Sequence, residues 1–254
     1  MSGNLSVSVA MATFNGEKYV SEQIESILVQ LGVGDELIIA DDGSTDHTLE
    51  IVMGFADEDE RVRVLQNSGL GIASNFERAI RACGNDLIFL SDQDDVWLPA
   101  KVEVIRGCFL EDPEVTLIMS DSRVVDENLE PIYDSYIAWR GCGRGVLRNL
   151  FKNGYLGCSM AYRREFNSVV LPIPSRIPMN HDAWIGILAE MFGRVKVIDE
   201  KLVLYRRHEK NSTSLYSVTP LRKRLVWRFK LAYFLLIRTI LVLTMIHSTQ
   251  LKKF

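Results

Sequence analysis

The sequence predicts an α/β fold, a mainly parallel twisted sheet flanked by helices. Two observations carry this. Through the first 110 residues, apolar runs of strand length alternate with stretches whose apolar residues recur at helical spacing. Acidic or polar residues also close several strands and open a later helix, at the edge where an open α/β sheet gathers its ligands. Such alternation implies right-handed crossovers between neighbouring parallel strands.

A strand over residues 5–12 gives way to Thr13-Phe14-Asn15-Gly16-Glu17. Val20, Ile24, Ile27, Leu28 and Leu31 then keep helical spacing, and Gly32 with Gly34 ends the run. A strand over 36–40 closes on Asp41-Asp42-Gly43-Ser44-Thr45-Asp46, a turn that passes into a helix over about 48–55 with Thr45 or Asp46 as its cap. Residues 62–65 form a third strand, 72–82 a helix, and 86–91 a fourth strand that runs into Asp92-Gln93-Asp94-Asp95-Val96-Trp97. Pro99 suits the first turn of a helix reaching about Leu110. The second half alternates less regularly. It offers a strand over 115–120, a loop-rich region through Gly145, a strand over 157–162, and a helix opening at His181-Asp182-Ala183-Trp184. A strand pair over 195–198 and 202–205 then delivers Arg206-Arg207-His208.

With 254 residues, 47% hydrophobic and 24% charged, the chain can bury one substantial core and is not disordered. Its formal charge of −4 hides an asymmetry, because no acid follows Glu209 while nine bases do; setting those nine aside leaves −13 on the body. An acidic body excludes nucleic acid as the main partner, and a basic tail suits an anionic surface. Cys83, Cys108, Cys142 and Cys158 lack the spacing of a zinc site and read as ordinary buried thiols. No charged-then-apolar leader precedes Val7, so a reducing cytosol is the expected compartment.

Two units are expected, a body over 1–218 and a helical tail over 219–254. The tail's apolar runs, 231–237 and 239–246, are interrupted by Arg238, and neither reaches the roughly 18 residues of a spanning helix. An amphipathic helix lying on a membrane, with Arg222, Lys223, Arg224 and Arg228 against anionic headgroups, fits this composition. A helix packed on the body or on a partner subunit is the competing reading.

Asp92 and Asp94 sit at a strand's carboxyl end, where an Asp-x-Asp can present two oxygens to a hard divalent cation or to a ribose. A solvated acidic turn is the bland alternative, as a helix cap is for Asp182. Gly69-Leu70-Gly71-Ile72-Ala73-Ser74 imitates a dinucleotide fingerprint, with Asp92 about twenty residues on. Against an NAD-dependent dehydrogenase, the third small position is Ser74, Asn67 and Ser68 separate strand from glycines, and the motif is not in the first βα unit.

Taken in order, Val9-Ala10-Met11-Ala12-Thr13-Phe14-Asn15-Gly16, the 41–46 turn, Asp92-Gln93-Asp94-Asp95-Val96-Trp97, His181-Asp182-Ala183-Trp184 and Tyr205-Arg206-Arg207-His208 resemble glycosyltransferase family 2, with its GT-A fold. The resemblance covers roughly residues 5–215, and the Asp-Gln-Asp-Asp-x-Trp form is similar to a bacterial rhamnosyltransferase-like group. It implies an inverting transfer of sugar from a nucleotide-diphosphate donor, dTDP-rhamnose or a UDP-hexose, to a lipid-linked or polysaccharide acceptor at the inner membrane face. It also implies residue roles. Thr13, Asn15 and Glu17 would line the nucleotide pocket, and Asp42 would accept the base's ring N–H. Asp92 would reach ribose or metal. Asp94 would bind Mg2+ or Mn2+, assisted by His208, and Arg206 or Arg207 would face the leaving phosphate. Asp182 would be the general base, with His181 replacing the family's usual glutamate. Asp95 would brace the loop, Trp97 and Trp184 would pack, and 157–160 would be a strand beside the acceptor pocket. A catalytically idle sugar-nucleotide-binding protein would have lost these carboxylates, and none is lost.

Overall fold

Residues 7–13, 36–41, 62–66 and 87–92 are the apolar runs of the first half, and in the computed structural model they form four adjacent parallel strands. They are β1 (Val7–Thr13), β2 (Glu36–Asp41), β3 (Val62–Gln66) and β4 (Leu87–Asp92), in the spatial order β3-β2-β1-β4. The structure describes residues 5–67, 69–174, 181–209, 211 and 221–251. Three helices make the crossovers: α1 (Val20–Leu28), α2 (Thr48–Glu58) and α3 (Ile72–Ala82).

The period of two along each strand explains the layering. Val9, Met11, Leu37, Ile39 and Phe89 point into one core, with Val20, Ile24 and Ile27 of α1. Ala10, Ile38, Ala40, Ile88 and Leu90 point into the other, with Phe76, Ala79 and Ile80 of α3. Both faces are covered, which is why these strands are continuously apolar.

Beyond β4 the chain makes β5 (Val96–Trp97), α4 (Lys101–Glu111), β6 (Leu117–Val125), β7 (Pro131–Tyr133), α5 (Tyr136–Arg140) and α6 (Val146–Phe151). There follow β8 (Met160–Arg163), α7 (Asn167–Val170), α8 (His181–Phe192), β9 (Val195–Arg206) and α9 (Leu221–Leu251). The full sheet runs β3-β2-β1-β4-β8-β6-β9-β5, with β7 paired to β6. β8 is antiparallel to both β4 and β6, so the sheet is mixed beyond β4.

Three expectations change. The strand pair over 195–205 is one strand, because the register against β6 slips from Ser120↔Ile198 to Asp121↔Lys201 and leaves the exposed Asp199-Glu200 as an irregularity rather than a turn. Residues 157–159 form a buried 3-10 turn, and only Met160 onward joins the sheet. Trp97 pairs with Val203 in β5, so the acidic stretch leads into a short strand before the helix begins at Lys101. All four cysteines are free, Cys83 and Cys158 buried and the other two half-buried.

The tail forms one helix, α9, and shares a core with the body. Leu231 and Leu235 are buried in the cluster that holds Phe76 and Trp184. The expected boundary between 218 and 219 lies outside the described residues. Among the described residues, no helix is long and apolar enough to cross a membrane.

Candidate active site

Register alone assembles the first part of the site. Thr13 is paired with Asp41 and Ala12 with Asp92, so the ends of β1, β2 and β4 open on the same edge. A cavity of about 1400 Å³ lies there, lined by Thr13, Asn15, Glu17, Asp42, Asp92, Asp94, Arg207 and His208. Every donor- or metal-site residue expected from the sequence therefore faces one space.

The loop after β1 is held by hydrogen bonds to its neighbours. Thr13 Oγ1 donates to Asp41 at 2.8 Å, and the N–H of Asn15 donates to Ser44 Oγ at 3.0 Å. Asn15 has a left-handed backbone, φ 48°, and its side-chain oxygen accepts the N–H of Thr45 at 2.8 Å. Glu17 accepts the His47 N–H at 2.9 Å and pairs with its ring at 2.8 Å, which holds the Glu17 carboxyl below its usual range. Gln93 clamps the same loop from β4's end, accepting the Phe14 N–H at 2.8 Å and donating to the Phe14 carbonyl at 2.9 Å.

Asp42 is buried, and its two oxygens accept the N–H groups of Leu70 and Gly71 at 2.9 and 2.8 Å. This disposes of the dinucleotide fingerprint. The amides that would cradle a pyrophosphate are turned onto a carboxylate.

Asp94 is tied to the chain's later half. His208 Nε2 lies 2.8 Å from its Oδ2, and Asn211 donates to the same oxygen at 3.1 Å. Arg206 serves as a brace: its side chain donates to the Asp94 and Glu127 carbonyls and to Glu22, and its guanidinium lies 4.6 Å from the centre of the Tyr19 ring. Arg207 is the arginine that reaches the cavity, its guanidinium steadied by Tyr205 Oη at 2.9 Å. The strand's alternation decides between the two.

Asp95 is fully buried and accepts the Arg206 backbone N–H at 2.9 Å, the bracing role expected of it. Asp92, Asp95 and Cys158 bring ligand atoms within 4.8 Å of one another. Burial, reinforced by the two carboxylates, pushes the Cys158 thiol well up, and a sulfur ligand is a poor match for a hard cation such as Mg2+ or Mn2+. Asp92, Asp94 and His208 all line the cavity, and Asp94 and His208 are in contact, but among the described residues Asp92, Asp95 and Cys158 are the one group of three ligand residues whose donor atoms lie this close. Burial first, then Asp95, Asp94 and Asp182, pushes the Asp92 carboxyl well up, an accumulation of negative charge that a cation would relieve.

Asp182 stands apart from this set. It is not among the residues that line the cavity. It lies in the first turn of α8, accepts the Ala183 N–H at 2.6 Å and is 3.5 Å from Asn153 Nδ2. Burial raises its carboxyl to about 7. His181 beside it is buried and stacked on Phe76, ring centres 3.6 Å apart, with no partner for either nitrogen among the described residues. Gly157 makes room for it, because a Cβ there would stand 2.9 Å from His181 Nε2.

Several residues of the site escaped the sequence reading. Tyr19 lines the cavity and stacks on His208, centres 4.8 Å apart. Asn75 donates to the carbonyls of Ala40 and Thr13 at 2.7 and 3.2 Å; its signal was a polar residue on the buried face of an amphipathic helix. Lys101 is fully buried, donates to the Cys158 carbonyl at 2.6 Å and lies 3.8 Å over Trp97, with burial bringing its ammonium down to about 7. Trp97 and Trp184 are buried packing residues.

The family model for glycosyl transferase family 2 matches residues 8–170, the span that holds β1 to β4 and the acidic turn after β4. The chain belongs to that family. An uncharacterized glycosyltransferase of Nostoc sp. is 26% identical over 82% of this chain and 66% of its own length. A dTDP-rhamnosyl transferase of Shigella flexneri is 28% identical over 79% of this chain and 72% of its own length. TarS of S. aureus, in a crystal structure with UDP-GlcNAc, superposes with a TM-score of 0.67 at 18% identity, covering 92% of this chain and 66% of that one. The chain thus spans about two thirds of the length of these relatives. The structural likeness establishes the GT-A fold for this family 2 member.

Proposed function

We propose that this family 2 protein is an inverting, metal-dependent glycosyltransferase. It would move a sugar from a nucleotide-diphosphate donor to a lipid-linked or polysaccharide acceptor at the inner face of the cell membrane. The observation that carries the reading is the convergence of Thr13, Asn15, Glu17, Asp42, Asp92, Asp94, Arg207 and His208 on one cavity. dTDP-rhamnose is the donor favoured by the likeness to the Shigella transferase, with UDP-hexoses next.

Thr13, Asn15, Glu17 and Asp42 hold the nucleoside end, with Asp42 accepting the base's N–H through lone pairs left free by Leu70 and Gly71. Arg207 places positive charge against the diphosphate. Asp92, Asp94 and His208 would hold the divalent cation. When bound, that cation neutralises charge on the departing nucleoside diphosphate. Asp182 takes the acceptor hydroxyl's proton as its oxygen attacks the anomeric carbon, and the sugar–phosphate bond breaks on the opposite side. Its carboxyl, raised to about 7, is matched to that task near neutral pH.

The test is a thermal-shift and transfer screen of dTDP-rhamnose, UDP-hexoses and NAD, each with and without Mn2+. Stabilisation by a nucleotide sugar together with Mn2+, followed by sugar transfer, is the expected result. Binding without transfer to any acceptor would instead favour an idle sugar-nucleotide-binding protein.

A further inference from the structure

Helix α9 has two apolar faces, and only one of them is used inside the molecule. On the inner face Leu231, Leu235, Arg238 and Val242 are buried. Arg238 donates to the carbonyls of Leu171 and Pro172, and its guanidinium lies 5.5 Å from the centre of the Trp184 ring in α8. Arg228 is also turned to the body, donating to the Phe151 carbonyl at 2.8 Å. These two bases, one of them expected to face headgroups, instead fasten the helix to the enzyme.

The opposite face carries Val226, Phe229, Tyr233, Leu236, Ile240 and Leu243, each between 46% and 75% exposed. Their separations of three, four, three, four and three residues keep all six on one stripe, about 26 Å long at 1.5 Å per residue. Among the described residues, nothing in the body covers it. A stripe of this extent on a soluble surface marks a docking face.

Charge decides what docks. Residues 221–251 contain no acid, and the exposed bases Arg222 and Lys230 lie along or beside the stripe. Pairing with a second copy would set cation beside cation, with no acidic position at the seam to relieve it. An anionic bilayer supplies the missing charge, and it takes the apolar side chains into the headgroup boundary without requiring a spanning length. Tyr233, exposed on the stripe, suits that interface.

We propose that α9 lies flat in the interface of an anionic membrane on the 226–243 stripe, while its inner face grips α8 and so holds the amino end of that helix, with Asp182, at a fixed position beside the bilayer. Membrane binding does not depend on the reaction. The consequence for a lipid-linked acceptor rests on the proposed function.

The test uses the full chain and flotation with phosphatidylcholine vesicles, with and without phosphatidylglycerol. The protein should float with the anionic vesicles and lose this at high salt. Phe229→Glu/Ile240→Glu should weaken flotation by at least about tenfold, the scale of two lost apolar side chains, with unchanged melting temperature and unchanged transfer to a soluble acceptor. If that variant melts early, Arg222→Gln/Lys230→Gln carries the test, since it should weaken binding to anionic vesicles and leave the fold alone. Failure of the wild type to float, or equal flotation of both variants, overturns the proposal. So does a wild-type dimer that the stripe variant converts to monomer without any vesicle binding, which would assign the stripe to a second copy. Flotation with no transfer from any nucleotide sugar would remove the proposed function and leave the membrane face standing.

Discussion

His208 Nε2 and Asp94 Oδ2 lie 2.8 Å apart, joining the end of β9 to the turn after β4 across 114 positions of sequence. Both side chains are largely buried at the cavity edge. In the proposed reading Asp94 would supply a carboxylate oxygen to the cation and His208 would assist it. Asp94→Asn should therefore abolish Mn2+-dependent transfer while the melting temperature without metal changes little, because Asp94 lies outside the packed core. His208→Ala should raise the Mn2+ concentration needed for half-maximal activity. Transfer that continues undiminished in excess chelator would remove the metal assignment from both residues.

Asp42 serves two competing roles, and its replacement separates them. The carboxylate fixes the Leu70 and Gly71 amides, so Asp42→Ala frees two N–H groups at the cavity wall. If Asp42 also reads the donor's base, the Michaelis constant for the donor should rise more than turnover falls, since base contacts are similar in ground and transition states. Hydrogen exchange at Leu70 and Gly71 should accelerate in either case. Faster exchange with an unaltered Michaelis constant would leave Asp42 as a loop anchor only.

How much of this was legible follows from where the information sits. The first four strands lie between two helical layers, so they read as apolar runs, and the register that brings Thr13, Asp42 and Asp92 to one edge follows from parallel pairing. The later sheet was less legible, because Asp199-Glu200 looks like a turn in sequence and is absorbed as a register slip against β6. Arg206 and Arg207 were indistinguishable until the strand's alternation sent one to Glu22 and the other to the cavity. The Leu70 and Gly71 amides could not be assigned to Asp42 from sequence, since nothing local marks a hydrogen bond spanning 28 positions. Arg238 reads as an interruption of an apolar helix, and only the contact with Trp184 shows it as a clamp.

His181 gives a stability prediction with a pH window. In the unfolded chain its imidazole protonates near 6.5, whereas burial in the fold holds it neutral down to about 3. Protons therefore bind preferentially to the unfolded chain, and the native state loses stability as pH falls from about 6.5 towards 3. His181→Phe keeps a ring stacked on Phe76 and removes two buried nitrogens that have no partner. The variant should be more stable by on the order of 1 kcal/mol at neutral pH, and its advantage should widen below pH 6.5. An advantage that shrinks on acidification would mean that the imidazole is not held neutral.

The last prediction tests the general base. Asp182→Asn keeps the size and most of the hydrogen bonding of the side chain and cannot accept a proton at neutral pH. Donor binding should survive, and transfer should fall by about 10²-fold or more, the usual scale for a lost base. Because burial raises the wild-type carboxyl to about 7, wild-type transfer should climb with pH through that value and then level, and this limb should vanish in the variant. Stability supplies an independent readout. The folded state retains the Asp182 proton to about 7 and the unfolded chain releases it near 3.8, so the wild type loses stability as pH rises through this interval and the variant does not. Differential scanning calorimetry of both proteins between pH 5 and pH 8 would measure the difference. A helix cap makes the contrary prediction, because Asn caps nearly as well as Asp and the rate would barely move. An Asp182→Asn enzyme with near-normal transfer and an intact pH limb would pass the role of base to another acid.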